Sequence, residues 1–202
     1  MTPLFCQGKD IQRETSAAVG IGARLIPTAE ANSYFRPGVR VFISEPDATE
    51  VEFLGAIQSV ASDSITVELA TQAAKNEGAK LWTPLAVFEW PAGAAGATRR
   101  IHQGGVEVVR SLGGVAYATR LHSPCETENV RFDNLTDERF ELLSSLFTQQ
   151  ANDGLEEFTY VDDGRAVWRV RLEAPTLESS RNARDLVVVG FNLHLLDAAS
   201  YV

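Results

Sequence analysis

The segment "FTYVDDGRAVWRVRLEAP", residues 158–175, constrains the fold more than any other part of the chain. Its apolar side chains recur with a period of two, which is the period of a β-strand and not of a helix. Asp163-Gly164 separates the two halves with residues that favour a tight turn. On the second strand, the Trp168 side is expected to fill a core, and the Arg169 side to face solvent or another chain. The segment therefore predicts a hairpin with one buried and one charged face.

Most of the remaining chain also carries strand patterns, so the predicted fold class is mainly β. Between 34 and 90, short β-branched and aromatic runs alternate with turn residues, which is typical of a small β-barrel module. The Gly-rich segment 91–98 predicts a linker. Residues 99–202 predict a β-sandwich-like domain, whose last strand, 185–196, is apolar enough to lie centrally in a sheet. The N-terminal segment 1–33 is expected to add a strand to that domain or to form a subunit contact.

One α-helix is predicted inside the second domain, over about 137–150. Thr136 is a favourable N-cap residue, and two acidic side chains follow it in the first turn, where they oppose the helix dipole. Phe140, Leu143 and Phe147 then recur with helical spacing. The pattern indicates an amphipathic helix that packs on the sheet.

No residue pattern singles out a catalytic, cofactor-binding or metal site, so the protein is not expected to be an enzyme. The three histidines are scattered, and the spacing of Cys6 and Cys125 fits no zinc motif. His122 lies near Cys125, but no residue is evident to orient it as a base. The formal net charge of -9 argues against nucleic-acid and anionic-membrane partners, which attract basic surfaces.

Arginine usage is the most informative charge pattern, because residues 99–202 contain eleven arginines and no lysine. Protein interfaces favour arginine, whose planar guanidinium pairs with two acceptors at once. A codon-composition bias explains the same count equally well. The register of the arginines along one strand face favours a charged contact between subunits. The candidate interface residues are Arg165, Arg169, Arg171, Arg181 and Arg184.

The C-terminal half contains a succession of a strand, a capped helix, a hairpin and a strand that ends at a proline. Its residues are Phe132, Asn134, Leu135 and Thr136, then Phe158, Tyr160, Asp162 and Gly164, then Val170, Arg171, Leu172 and Pro175. This succession resembles tail proteins of long-tailed bacteriophages, above all the distal tail protein and its relatives at the tail tip. The earlier segment 35–85 is similar to small β-barrel modules of phage tail and baseplate proteins.

The resemblance implies a structural role in the virion tail, without a cofactor. Copies would form a homo-oligomeric ring, a hexamer, that joins the tail tube protein to the tail-tip hub or baseplate after assembly in the host cytoplasm. Two alternatives stay open. A carbohydrate-binding host-attachment module is suggested by Trp82, Trp90 and Trp168, if their rings are exposed. A cell-wall hydrolase would need a pair of carboxylates in a cleft, and the sequence singles out no such pair.

Overall fold

The computed structural model describes residues 3–90, 97–102, 106–110, 116–120, 125–150, 156–173, 177–182 and 184–198. These residues form a mainly β structure with two curled antiparallel sheets, which confirms the predicted fold class. Several features named in the sequence analysis lie outside the described residues: linker residues 91–96, His122 and Pro175.

The strands are short, apart from three in the middle of the sheets. Their bounds are β1 (Leu4–Gln7), β2 (Gln12–Glu14), β3 (Leu25–Pro27), β4 (Arg40–Ser44), β5 (Glu52–Val60), β6 (Ser64–Val67), β7 (Lys80–Trp82), β8 (Ala86–Glu89), β9 (Ala97–His102), β10 (Val106–Arg110), β11 (Ala116–Arg120), β12 (Cys125–Leu135), β13 (Phe158–Val161), β14 (Val167–Leu172), β15 (Glu178–Arg181) and β16 (Val187–Ala198). The two helices of the described residues are α1 (Ala31–Tyr34) and α2 (Asp137–Ser145), and a π-helical turn, Leu146–Gln150, continues α2.

Six strands form the first sheet, in the order β2-β7-β4-β5-β6-β3. Its two outer strands meet where the Ser16 N–H donates to the Pro27 oxygen at 3.1 Å and the Thr28 hydroxyl donates to the Glu14 oxygen at 3.0 Å. These bonds curl the sheet into a small barrel. Apolar side chains fill its interior: Val19, Ile26, Ala31, Phe35, Val41, Ile43, Leu54, Ile57, Ile65, Val67, Ala79 and Leu81.

Eight strands form the second sheet. Seven follow the order β8-β1-β13-β14-β16-β12-β9, and β15 pairs with β16 beside β14. The long strand β16 is therefore central, as its apolar sequence predicts, and its Val189, Phe191, Leu193 and Leu195 are buried on one face. The strands β10 and β11 form a separate antiparallel hairpin.

Helix α2 covers the inner face of the second sheet. The Thr136 hydroxyl accepts a hydrogen bond from the Arg139 N–H at 3.3 Å, which confirms the predicted N-cap. Leu143, Leu146 and Phe147 are buried in the core that the helix shares with the sheet. None of the helices in the described residues has the length and apolar character of a membrane-crossing segment.

The two sheets do not follow the domain limits that the sequence suggested. β2 and β3, from the predicted N-terminal segment 1–33, belong to the barrel, whereas β1 inserts into the second sheet between β8 and β13. β8 lies within the predicted barrel module 34–90, but it pairs with β1 and therefore belongs to the second sheet. Pro84 separates β7 from β8, because proline has no N–H to donate to a sheet ladder. The continuous run 81–90 is thereby split between two sheets.

Candidate functional site: the seam and the free β8 edge

Strand β1 joins the barrel to the second sheet, because its two faces pack into two different sets of buried side chains. On the inner face, the fully buried Phe5 ring lies at the centre of an aromatic cluster. Six ring centroids lie 5.4 to 6.3 Å from its own: Phe88, Trp90, Phe147, Phe158, Tyr160 and Phe191. Such aromatic contacts add to the free energy of apolar burial. The first residues of the chain are therefore part of the core of the C-terminal sheet.

The opposite face of β1 packs against the barrel in a set of buried side chains that we call the seam. It consists of Leu4, Cys6, Phe42, Val51, Phe53, Trp82, Val161 and Val167. Phe42 and Trp82 stack in parallel, with ring centroids 4.1 Å apart. Burial raises the pKa of the Cys6 thiol well above its usual value, an effect that the positive charge of Arg40 opposes. The seam excludes water between the two sheets.

Arg165 joins the barrel to the β13–β14 hairpin. Its Nη2 donates to the main-chain oxygens of Phe53, at 2.9 Å, and Ala70, at 3.0 Å. Burial lowers the pKa of the guanidinium, and the nearby Glu52 carboxylate opposes that shift. Arg165 has a φ of 71°, a left-handed conformation that is uncommon for a residue with a side chain. The backbone of the hairpin turn is thus strained at Arg165, the residue whose side chain reaches the barrel.

The other four arginines of the predicted interface lie on the second sheet. Arg169 and Arg171 both pair with Glu157, at 3.4 Å and 3.3 Å. Arg181 pairs with acidic side chains of α2 and of its own turn. Arg184 is exposed, and its side chain has no partner within the described residues. The role of these arginines in a subunit contact stays a prediction.

The predicted charged face of β14 also contributes to the seam. Val167 lies on the same strand face as Arg169 and is buried against the barrel. On the other strand face, Val170 and Leu172 are buried in the aromatic core and Trp168 packs against it. The expectation that the Arg169 side meets only solvent or another chain is therefore wrong at this end of the strand, where the chain's own barrel covers it.

A buried ion pair fixes the long loop between β6 and β7. The Lys75 side chain is fully buried. Its Nζ lies 3.1 Å from Glu52 Oε1 and donates a hydrogen bond to the main-chain oxygen of Glu50 at 2.8 Å. The Glu52 carboxylate also accepts the main-chain N–H groups of Gln72 and Ala73, at 2.7 and 2.9 Å. The sequence indicates only a polar loop here, since nothing in the local pattern distinguishes a buried lysine from an exposed one.

The tryptophans considered for sugar binding are core or near-core residues. Trp82 and Trp90 are buried, in the seam and in the aromatic core, and Trp168 is partly buried. A buried ring offers no face to a sugar. In the aromatic core, the Tyr160 hydroxyl donates a hydrogen bond to the Glu128 carboxylate at 2.7 Å. Within the described residues, no three metal-ligating side chains converge.

One edge of the second sheet is free in the described part of the chain. The Trp90 N–H donates to the Pro3 oxygen at 3.1 Å, and β8 pairs with β1 in register Phe5–Phe88. Residues of an antiparallel strand alternate between bonding to one side and to the other. The N–H and C=O groups of Val87 and Glu89 therefore point away from β1, and they have no partner among the described residues.

A groove of 340 Å³ runs beside this edge, lined by Gly38, Val39, Arg40, Pro84, Val87, Glu89 and Arg139. Arg40 Nε donates to Glu89 Oε1 at 2.7 Å, which ties the barrel to the edge strand. The Arg139 guanidinium is exposed and has no ion-pair partner within the described residues. Leu85 and Val87 are apolar and remain 61% and 40% exposed. The groove thus combines free backbone groups, apolar surface and the exposed guanidinium of Arg139.

No protein-family model matches the chain, and no curated protein matches it.

Proposed function

We propose that this protein is a structural component of a bacteriophage tail. Its copies form a ring, a homohexamer, that connects the tail tube to the tail tip or baseplate. The virion tail is its location after assembly in the host cytoplasm. In this role the chain supplies shape and contact surfaces, and it catalyses no reaction.

The observation that carries the proposal is the structural role of the residues in the tail-protein resemblance. Phe132 and Leu135 are buried at the end of β12, and Thr136 caps α2. Phe158 and Tyr160 belong to the aromatic core. The succession therefore describes one packed unit of strand, helix and hairpin. A signature of this kind fits a protein whose shape is its function.

Two further features support a load-bearing subunit. First, β1 and β8 place strands from either side of the barrel sequence into the second sheet, so the barrel is tied to that sheet at both of its ends, and residues 3–90 cannot leave the sheet without breaking the β1–β13 hydrogen bonds. Second, the Arg165 side chain bonds the β13–β14 hairpin to the barrel. A ring that transmits force between a tube and a tip needs this kind of rigid connection.

The proposal is tested by the mass and shape of the purified protein in solution. Light scattering after size-exclusion chromatography is expected to give a closed oligomer of six copies, and negative-stain electron microscopy is expected to show rings. The genes beside its own are expected to encode tape-measure and tail-tube proteins. A chain that stays monomeric at high concentration and also fails to bind the neighbouring tail-tube protein would contradict the proposal.

A further inference from the structure

We infer that the β8 edge is the contact surface for a second copy of this chain, which adds an extended acidic segment to the second sheet. This inference rests on the proposed ring and names one face of its subunit contact. A ring needs contacts between unlike surfaces of neighbouring copies, so one copy presents a groove and the next presents the segment that fills it.

The backbone of β8 is prepared for another strand. Val87 and Glu89 direct their N–H and C=O groups to the open side, because the backbone groups of Phe88, the residue between them, are directed at β1. Exposed edges of this kind are usually blunted by charge, proline or a cover, since they pair readily with other chains. Here Pro84 precedes the strand, but the positions that would pair are Val87 and Glu89, which keep their donors. Strand addition would use these groups.

The apolar surface on the edge favours the same contact. Leu85 and Val87 are two of the five large hydrophobic side chains that are exposed within the described residues. They lie on consecutive odd positions of one chain segment, and Val39 of the barrel lines the groove beside Val87. An added strand would remove this apolar surface from water, which is favourable.

The charge of the exposed Arg139 side chain favours an acidic occupant of the groove. Its lining contains Arg40, Arg139 and Glu89, and Arg40 is paired with two carboxylates, those of Glu89 and Glu68. The chain as a whole has a net charge of -9. Arg139, which is exposed and has no ion-pair partner in the described part of the chain, is therefore complementary to the acidic surface of another copy of the same protein. Arg139, at the first turn of α2, is the side chain left to pair with an acidic residue of that copy.

Proline at position 87 provides a selective test. Val87→Pro removes an outward N–H and leaves the β8–β1 hydrogen bonds in place, because proline is tolerated on an edge strand where its nitrogen faces solvent. Val87→Thr is the matched control, since it keeps the N–H group and the β-branched shape. We expect Val87→Pro to weaken self-association at least about tenfold, measured by analytical ultracentrifugation over a concentration series. We expect Val87→Thr to associate like the natural chain.

Charge reversal gives a second, independent test that does not alter the strand. Arg139→Glu is expected to weaken self-association about tenfold or more, whereas Arg24→Glu, which makes the same charge change on an exposed arginine outside the groove, leaves it unchanged. Equal effects of the two reversals would contradict an acidic occupant of this groove. Hydrogen exchange adds a readout, because peptides that contain residues 87–89 are expected to exchange more slowly in the oligomer than in the dilute monomer.

The outcomes separate the inference from the proposed function. If the natural chain forms a ring and folded Val87→Pro forms the same ring with equal affinity, the β8 contact is wrong and the tail role stands. If the natural chain is monomeric at every concentration, the ring and the edge contact fail together. If Val87→Pro does not fold, the Arg139→Glu comparison and the exchange of residues 87–89 decide the inference.

Discussion

Arg165 Nη2 donates to the main-chain oxygen of Phe53 at 2.9 Å, and this bond links a hairpin turn of one sheet to a strand of the other. The same nitrogen also donates to Ala70. Because the turn takes a positive φ at Arg165, the chain accepts local backbone strain at the position where the two sheets are joined. The junction between the two sheets therefore depends on this side chain as well as on apolar contact and the Arg40–Glu89 ion pair.

Replacing Arg165 by alanine is expected to destabilise the protein by about 1–3 kcal/mol, because two main-chain acceptors lose a charged donor at the seam. Alanine is preferable to glycine, which would also relieve the positive φ. The measurement is urea unfolding followed by circular dichroism. Arg171→Ala is the control on the same hairpin, where an exposed ion pair contributes at most about 1 kcal/mol. Equal losses for the two variants would show that the Arg165 contact adds nothing to the seam.

Strand β1 is expected to contribute as much to the free energy of unfolding as core strands from later in the chain. Phe5→Ala removes the ring at the centre of six aromatic contacts, and the resulting cavity is expected to cost about 3–5 kcal/mol in the free energy of unfolding. Ile21→Ala is the control, because that side chain is 73% exposed and its truncation should change stability by no more than about 0.5 kcal/mol. A Phe5→Ala variant as stable as the control would contradict the placement of β1 in the core.

Patterns that depend on neighbouring residues are predictable from this sequence, and strand partners are not. The position of β16 follows from its apolar faces, and the start of α2 follows from Thr136. By contrast, β1 and β8 are short and apolar, so their sequences fit either sheet. Which sheet they join is decided by pairing with segments far away in the chain, as in the pair Phe5–Phe88. Pro84 does carry a local signal for the break between β7 and β8, because proline interrupts a ladder.

The candidate site shows the same division. The sequence singles out the arginines of the hairpin, but the positive φ of Arg165 and its barrel acceptors arise only when the two sheets pack. The free edge at Val87 cannot be predicted either, because it depends on which strand ends the sheet. Lys75 lies in a polar loop whose burial has no local cause. Features created by contact between distant segments thus lie beyond the reach of sequence patterns.

The Cys6 thiol is expected to resist modification while the protein is folded. Burial raises its pKa, so little reactive thiolate forms near pH 8, and the seam blocks access by reagents. In a Cys125→Ser variant, where Cys6 is the sole thiol, a colorimetric thiol reagent should react slowly without denaturant and rapidly in concentrated urea. Fast reaction of the folded protein would contradict the closed seam.

The same thiol makes stability depend on pH in a known direction. Its folded pKa lies above the usual 9.0, so its contribution to stability is fully present below pH 9.0. That contribution is lost as the pH rises from there through the folded pKa, because the unfolded chain ionises first. The stability difference between the natural chain and Cys6→Ala, as measured by urea unfolding, should therefore shrink as the pH is raised above 9.0. A constant difference would contradict the raised pKa.

The ion pair of Lys75 and Glu52 gives the sharpest contrast between buried and exposed charges. Glu52→Gln leaves a fully buried ammonium without its close counter-charge, so we expect a loss of about 3–5 kcal/mol in urea unfolding. Glu50→Gln is the control, because Glu50 is 65% exposed and its ion pair with Lys75 should be worth at most about 1 kcal/mol. Adding Lys75→Met to Glu52→Gln removes the uncompensated charge and is expected to recover much of the lost stability. If the double variant were no more stable than Glu52→Gln alone, the loss would come from the Gln72 and Ala73 hydrogen bonds of the loop and not from the buried charge.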